Sequence, residues 1–459
     1  MPRLVPSRQD LARMTALAAP AVIVQLGLMA MGVVDTMVVG RLSAVALAGV
    51  AIGALYNFSI GSFGMGVLTA LDPLVSQAVG ARDEPAIGRA LQRGLAIALG
   101  LGVFAALLSL PAETVLRHLG QPPELVAVAG PYVHIQWPSM FAFFLLVAFR
   151  QTLQALGRMR PVVVTILAAN LVNAVLAWSL VFGELGAPRL GTIGSGLATT
   201  LARWFMAVLM LVLGWRHLAP RLALRPDSLR WRPILRMLAI GLPIGFQFTL
   251  EYGVFATVAL LMGHMGPVAA GAHQIAINIA SVTFMVPYGV SIATSVLVGR
   301  AVGAGDAAAA RRAGLAGLFA GAAFMAVSAC VLVLAPRVLA RLYTPDAGVV
   351  GLAALLVPIA GVFQVFDGLQ VVSIGILRGV GDTRTPLVVN LIGYWLFALP
   401  LSLFLAFRLG LGPRGLWWGF VGGLAMVAMI LLTRVRARLG RKLGRLVVDE
   451  PVAAASVVE

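Results

Sequence analysis

The chain is divided into twelve apolar blocks separated by short polar connections. A helix rises 1.5 Å per residue, so a block of about 20 apolar residues crosses the ~30 Å hydrocarbon core of a bilayer. Only 11% of the residues are charged, whereas soluble globular chains have roughly 25%. Because so few charges cannot cover a surface that faces water, we predict an all-α polytopic membrane protein with twelve transmembrane helices.

The distribution of Lys and Arg predicts the orientation of these helices, because cytoplasmic connections are enriched in both residues. Of the 34 basic residues, 26 fall on the side of the two termini, seven on the other side and one, Arg203, within a helix. We therefore expect both termini in the cytoplasm. The net charge of +17 then reflects topology and not binding to nucleic acid. The predicted helices are 14–38, 46–76, 90–110, 128–152, 161–183, 191–214, 234–262, 268–299, 312–335, 349–377, 386–408 and 414–433.

The second half of the chain repeats the first at an offset of 223 residues. Residues 77–83 read QAVGARD and residues 300–306 read RAVGAGD, which are identical at five of seven positions. Further on, 156–161 are echoed at 380–386 with a small change of offset. The matched residues include Arg, Asp, Pro and Gly, so shared apolar composition does not explain them. We predict two pseudo-symmetric six-helix bundles.

Each bundle has an even number of helices, so the two are parallel repeats related by an axis along the membrane normal. We assign an N-terminal lobe at 1–214, a cytoplasmic linker at 215–233, a C-terminal lobe at 234–435 and a cytoplasmic tail at 436–459. The tail is small and polar from Val447 onward, so we expect disorder there. Secondary transporters bind substrate between such repeats near the midplane, and the cleft between the lobes is the expected site.

Four of the seventeen acidic residues lie within predicted helices. A carboxylate near the bilayer centre costs ~2.5–3.5 kcal/mol and usually marks an ion pathway, the alternative being a structural ion pair. Glu251 and Asp367, nearest the middle of helices seven and ten, are predicted to share one site for protons or a metal cation such as Na⁺. Asp35, near the outer end of helix one, is a third candidate coupling residue. Asp72, followed by Pro73, is predicted to cap or kink helix two.

Five amide side chains are candidate contacts for substrate or ion: Asn170 and Asn173 in the first lobe, and Gln274, Asn278 and Gln364 in the second. Ordinary interhelical hydrogen bonds are the alternative explanation for each of them. The sequence has no phosphate-binding loop for ATP, no Cys/His cluster with metal-ligand spacing and no supported nucleophile triad. We therefore expect a transporter and not an enzyme, with a coupling ion and no other cofactor.

Several motifs resemble those of the multidrug and toxic compound extrusion (MATE) family, in its NorM-like branch. They are VDT at 34–36, ALDPLVSQAVGA at 70–81, GAHQIA at 271–276 and LRGVGDT at 377–383, and the resemblance spans about 10–435. It implies a plasma (inner) membrane protein, functional as a monomer, that exports small organic cations. Export would occur in antiport with Na⁺ or H⁺, by rocking of the two lobes.

The resemblance also implies roles for individual residues. Glu251 and Asp367 match the cation-site acids of the NorM-like branch, Asp35 matches the aspartate of helix one, and Asn173 matches the first polar residue of helix five. A second Asn or Asp, common one turn later, is Ala177 here. This departure favours the C-terminal lobe as the coupling site.

Two further alternatives stay open. A tyrosine that some members have one turn before the helix-ten aspartate is Phe363 here, which leaves the choice between Na⁺ and H⁺ undecided. A lipid-linked oligosaccharide flippase has a similar two-lobe design, but it should need several basic residues in its cavity to bind a diphosphate. Only Arg203 lies in the middle of a predicted helix, so organic cations are favoured.

Overall fold

The structure is a computed structural model that describes residues 6–223, 226–441 and 443–449. Over these residues the chain is helical with no β-strand, and twelve helical spans are long and apolar enough to cross a membrane. The predicted all-α, twelve-span architecture is confirmed. The helices are α1 (Arg8–Val39), α2 (Ala44–Leu68), α3 (Leu71–Gly80), α4 (Glu84–Ser109), α5 (Ala112–His118), α6 (Pro123–Ala155), α7 (Met159–Phe182), α8 (Gly191–Leu222), α9 (Trp231–His264), α10 (Pro267–Gly303), α11 (Ala307–Leu334), α12 (Pro336–Arg341), α13 (Ala347–Gly379), α14 (Arg384–Asn390), α15 (Leu399–Leu403) and α16 (Pro413–Leu439).

Two of the twelve spans are interrupted helices. The second span breaks between α2 and α3, just before Asp72 and Pro73, so the predicted kink is present. The Asp72 side chain caps no helix end, because the N-cap position of α3 has no side-chain hydrogen bond. The eleventh span contains two π-helical segments, Leu391–Ala398 and Phe404–Arg408, on either side of α15. π-Helical turns occur often at functional sites.

The connection between the lobes is shorter than the predicted linker at 215–233. Helix α8 continues to Leu222, a 3₁₀ turn spans Pro226–Leu229, and α9 begins at Trp231. Residues 224–225 of the linker lie outside the described chain. Hydropathy marks where the hydrocarbon core ends, but a helix can continue beyond it into the headgroup region, which explains the difference.

The described part of the tail, 443–449, packs against the N-terminal lobe. Arg445 Nη2 lies 2.8 Å from Asp83 Oδ2, and Asp449 Oδ1 lies 2.6 Å from Arg93 Nη2. These contacts join Arg445 to the connection before α4, and Asp449 to α4 itself. The predicted disorder of the tail is therefore wrong as far as Asp449, and the residues beyond it lie outside the described chain.

The two lobes, α1–α8 and α9–α16, meet mainly through α1, α2 and α3 against α9 and α10. The contacts lie toward one end of the bundle, which we call the terminal face because it carries residues 6–13 and 443–449. A Cβ on Gly289 would lie 2.5 Å from the Val22 side chain, and one on Gly241 would lie 2.3 Å from the Val67 carbonyl oxygen. Only glycine allows backbones to approach so closely, so the lobes are tightly closed at this face.

The sequence repeat reappears in the seam between the lobes, which we define as the contact of α3 with the last turns of α10 and α13. Gly80 and Gly303 are repeat mates, and a Cβ on either would lie 1.9 Å from a backbone carbonyl oxygen of the opposite lobe. Those oxygens belong to Arg300 and Gln77 respectively, which are also repeat mates. The pseudo-two-fold axis therefore passes between the two glycines.

The same pair of repeat mates closes the seam with hydrogen bonds. Gln77 Nε2 donates to the Gly379 carbonyl oxygen at 2.8 Å, and Arg300 Nη2 donates to the Ala155 carbonyl oxygen at 2.7 Å. Each bond satisfies a carbonyl at the last turn of a helix, where no intrahelical donor remains. The two lobes thus close on each other by equivalent interactions at equivalent positions.

Candidate functional site

In the N-terminal lobe, three helices surround the carboxylate of Asp35. Asn173 Nδ2 of α7 donates to Asp35 Oδ1 at 2.7 Å, and the Thr199 hydroxyl of α8 donates to Asp35 Oδ2 at 3.1 Å. The structure therefore brings together the predicted residues Asp35 and Asn173. Thr199 was not predicted, although it lies on the same helical face as Arg203, one turn away.

Arg203 provides positive charge beside Asp35. Its guanidinium attracts the Asp35 carboxylate electrostatically, and its Nη1 donates to the Ser139 hydroxyl at 2.9 Å. The guanidinium carbon also lies 5.3 Å from the centre of the Phe143 ring, a cation–π distance. The Asp35 carboxylate thus already accepts hydrogen bonds from an amide and a hydroxyl group and is attracted by a guanidinium group.

Asn170 is directed away from Asp35. Its Nδ2 donates to the Gly27 carbonyl oxygen at 2.9 Å and to the Ile166 carbonyl oxygen at 2.8 Å. These bonds join α7 to α1 in the way that polar side chains join transmembrane helices. The structure gives Asn170 a packing role.

In the C-terminal lobe, Glu251 of α9 and Asp367 of α13 are close enough to interact electrostatically. Asp367 is buried with 7% of its surface exposed, and the Glu251 carboxylate is its charged neighbour. Gln247, one turn earlier on α9, lies beside Glu251. Two adjacent carboxylates in a low-dielectric site repel each other unless a proton or a cation neutralises them. The pair is therefore suited to hold either.

Further buried polar groups lie on the tenth and eleventh spans, and one of them, Tyr394, interacts with this pair. The Tyr394 hydroxyl is near both acids and donates to Gln370 Oε1 at 2.8 Å. Gln370 Nε2 and both amide atoms of Asn390 are buried without a hydrogen-bond partner in the described chain. Buried polar groups are nearly always paired, so these unpaired groups are candidates to bind a ligand. An amide oxygen, as in Asn390, can bind a cation, whereas an amide N–H, as in Gln370, can donate to a carboxylate. The i, i+3 spacing of Asp367 and Gln370 was the sequence signal that could have identified Gln370.

These amides matter because carboxylates alone do not complete a metal site here. The described chain contains no group of three or more His, Cys, Asp or Glu side chains that could hold a metal ion. Sodium is a hard cation that prefers oxygen ligands, so a Na⁺ at the acid pair would need amide, hydroxyl or water oxygens as well. A proton would need none of them.

The three predicted amides of the C-terminal lobe are placed differently. Gln364 accepts from the Ser328 hydroxyl at 3.0 Å and donates to the Ala280 carbonyl oxygen and to the Thr283 hydroxyl, so its amide is used in interhelical bonds. Gln274 and Asn278 bond to each other at 3.3 Å. The latter two line a surface depression together with Tyr343 and Thr344 of the connection between α12 and α13, and Asp367 does not line it.

The chain matches a known family of transporters in both lobes. The MatE family model matches residues 20–179 and 243–404, one segment in each lobe. The chain belongs to the MatE family. Since this is a family of transporters, this MatE protein is a membrane transporter and not an enzyme, as predicted.

Related proteins match the MatE chain over nearly its whole length. Multidrug resistance protein NorM of Burkholderia vietnamiensis is 38% identical over 430 residues, covering 91% of this chain and 92% of that protein. Probable multidrug resistance protein NorM of Bradyrhizobium diazoefficiens is 39% identical over 439 residues, covering 93% of each.

Solved structures share the MatE fold at lower identity. A Vibrio cholerae MATE transporter in a bent form has a TM-score of 0.83 at 19% identity, covering 94% of this chain and 97% of that one. A Pyrococcus furiosus transporter of the MOP superfamily has a TM-score of 0.84 at 20% identity, covering 94% and 96%. The latter is described as having a binding pocket of reverse polarity that suggests a different function. Pocket polarity therefore has to be judged from the residues of each chain.

Proposed function

We propose that this MatE protein is a secondary active multidrug exporter that exchanges organic cations for Na⁺ or H⁺ by alternating access. The observation that carries the proposal is the adjacent pair Glu251 and Asp367, inside the C-terminal lobe and midway along two spanning helices. The naming of its relatives as multidrug resistance proteins supports the same function.

The charge of the site favours cationic substrates. Asp35, Glu251 and Asp367 are negative, and Arg203 offsets one charge. Two unit charges ~4 Å apart interact by about 4 kcal/mol at an effective dielectric near 20, although lost hydration makes the net gain smaller. Because substrate and coupling ion would neutralise the same acids, they should displace each other, and this competition is what antiport requires.

A lipid-linked oligosaccharide flippase remains the alternative, and two further arginines bear on it. Arg150 and Arg378, counted above with the connections, are buried within α6 and α13. Both interact electrostatically with Asp72 at the seam, so they are partly neutralised there and are not free to bind a diphosphate. The balance of charge still favours cations.

We further propose that the terminal face is cytoplasmic in an inner membrane, as the basic asymmetry of 26 to seven indicates. The lobes are closed at that face, so in this conformation the space between them does not open to the cytoplasm. Cysteine labelling in a Cys330→Ala background tests the topology, since Cys330 is exposed. A cysteine at Asp227 should react only with reagent added from inside, and labelling from outside would overturn the orientation.

The function is tested by efflux of a fluorescent cationic dye from proteoliposomes in which ΔpH and ΔNa⁺ are imposed separately. We expect at least one gradient to drive efflux, and Glu251→Gln and Asp367→Asn each to abolish it in protein that remains folded. Glu184→Gln, an exposed acid in a connection, is the matched control. Wild-type rates in both site variants, or preference for anionic analogues, would overturn the proposal, the latter in favour of the flippase.

A further inference from the structure

The described tail crosses the terminal face without regular secondary structure after α16 has ended. We call residues 445–449 the strap. Its apolar side chains alternate: Leu446 and Val448 pack into an apolar cluster, whereas Val447 between them is 67% exposed. The same cluster contains Met237 of the C-terminal lobe, and its remaining buried members belong to the N-terminal lobe. The strap therefore packs on both lobes at once.

The backbone of the strap also bonds to both lobes. The Leu446 N–H donates to Gln77 Oε1 of α3 at 2.7 Å, and the Gln77 amide nitrogen is the group that donates across the seam. Arg236 Nη1 of α9 donates to the Val448 carbonyl oxygen at 3.1 Å. A Cβ on Gly381, in the connection that follows α13, would lie 2.8 Å from the Leu446 side chain. The strap thus adds its own contacts to those that close the terminal face.

A pair of arginines on α4 binds the end of the strap. Asp449 lies 2.8 Å from Arg89 Nε and 2.6 Å from Arg93 Nη2, and Arg93 is 3% exposed. Among the described residues, Asp449 is the only carboxylate that forms an ion pair with either arginine. Without the strap, the Arg93 guanidinium would be buried with no opposite charge in that part of the chain, which is unfavourable. The N-terminal lobe therefore carries a site for the Asp449 carboxylate.

Arg93 has no counterpart in the other half of the repeat. At the offset of 223 residues its mate is Ala316, which is apolar and 0% exposed. The fold of a lobe therefore does not need an arginine at this depth. Arg93 lies in the lobe on which the strap docks, where its Nη2 bonds to Asp449 and its Nε donates to the Ser228 carbonyl oxygen in the connection between the lobes at 2.9 Å. These contacts explain why a charge is buried there.

We propose that the strap holds the two lobes together at the terminal face and restrains its opening. This inference rests on the alternating access of the proposed function. Five residues span at most ~18 Å even when fully extended, and the strap touches the lobes in turn, so it cannot follow both when they separate. Its ion pairs are with the N-terminal lobe. Opening therefore breaks the weaker contacts with Arg236 and Gly381, and their loss in the open state favours the closed one.

The test measures opening of the terminal face in nanodiscs without ligand. Spin labels are attached to Arg160→Cys and Ala308→Cys, one exposed position in each lobe, in a Cys330→Ala background. Deletion of residues 443–459 removes the strap and should raise the ratio of open to closed protein about fivefold or more. Deletion of 454–459 leaves the strap in place, so this matched control should behave like the full chain.

A second variant separates the strap from a merely structural role of the tail. Arg236→Gln removes the donor to the Val448 carbonyl oxygen and should raise the same ratio in the full chain. In protein that lacks 443–459, Arg236→Gln should have no further effect, because Arg236 then has no strap to bind. Changes at two sites that act through one contact are not additive, whereas independent effects add.

Two results would overturn the strap. One is a ratio in the folded, monodisperse deletion of 443–459 that equals that of the full chain. The other is an Arg236→Gln variant that keeps the parental ratio, or that raises it equally with and without the tail. Gradient-driven dye efflux is measured on the same samples. If the parent exports dye but the deletion does not change opening, the strap is wrong and the proposed function stands. If the deletion opens the face but no sample exports dye, the strap stands and the proposed function fails.

Discussion

The close approach of Gly80 and Gly303 to the opposite lobe allows a prediction whose size follows from the geometry of the seam. In Gly80→Ala the new Cβ would lie 1.9 Å from the Arg300 carbonyl oxygen and 2.7 Å from its carbonyl carbon. Carbon and oxygen normally approach to about 3.3–3.6 Å, so α3 and α10 would have to move apart by more than ~1 Å. The obstacle is helix backbone and cannot rotate away. Overpacking of this kind costs about 1–3 kcal/mol, which here falls on the closed state alone.

A free energy of that size changes a two-state ratio by roughly 5–150-fold, so the closed population should fall measurably. Gly303→Ala meets the Gln77 carbonyl oxygen at the same 1.9 Å and should have the same effect. Gly263→Ala, which meets no atom within 4 Å, is the control. The assay is the spin-label distance across the terminal face, with no ligand present. If Gly80→Ala and Gly303→Ala match the Gly263→Ala control, the close approach at the seam does not exist as described.

Two further predictions concern single contacts. Asn173→Ala removes the donor to Asp35 and should lower stability by about 1.5–3 kcal/mol, measured by thermal unfolding in detergent, with partial recovery when Asp35→Asn is added. Burial raises the pKa of Asp382, but hydrogen bonds from Thr385 and Arg434 outweigh burial and hold that pKa below its ordinary value. Asp382 therefore stabilises the folded protein above pH ~3.9, and this stabilisation is lost as pH falls through the lowered pKa. In Asp382→Asn, the midpoint of thermal unfolding should vary less with pH across that range. An unchanged pH profile in Asp382→Asn would contradict this.

The twelve spans could be predicted because a bilayer requires long apolar helices, and that requirement is visible in composition alone. The repeat was equally visible, since Gly80 and Gly303 are matched in sequence and meet in space. The helix ends were less predictable. Basic residues near Leu222 are compatible with helix outside the hydrocarbon, so the end of α8 does not coincide with the end of its apolar block.

The candidate site was predictable where a charge is out of place. Asp35, Glu251 and Asp367 are acids in apolar helices, and the structure gives Asp35 polar partners and places the other two together. Neutral polar residues carry no such signal. In the sequence, Thr199 and Asn390 do not differ from the many other serines, threonines and asparagines of the chain. Only the packing of the helices shows what surrounds them.

The contact between Asp72 and Arg378 at the seam could not be predicted from the sequence either. Asp72 and Arg378 lie far apart in sequence and on different lobes, so periodicity within a helix cannot relate them. Arg378 also resembles a connection residue, because it is the second-to-last residue of α13. Its burial depends on the contact between lobes, and only a folded structure shows that contact.

Equilibrium binding of a cationic dye to the purified protein shows whether substrate and coupling ion use the same acids. Dye affinity is measured while Na⁺ is raised at constant pH, and again while pH is lowered without Na⁺. We expect dye affinity to fall in at least one titration, and this dependence to disappear in Glu251→Gln and in Asp367→Asn. Dye affinity that is indifferent to both Na⁺ and pH, or that is unchanged in both variants, would contradict it.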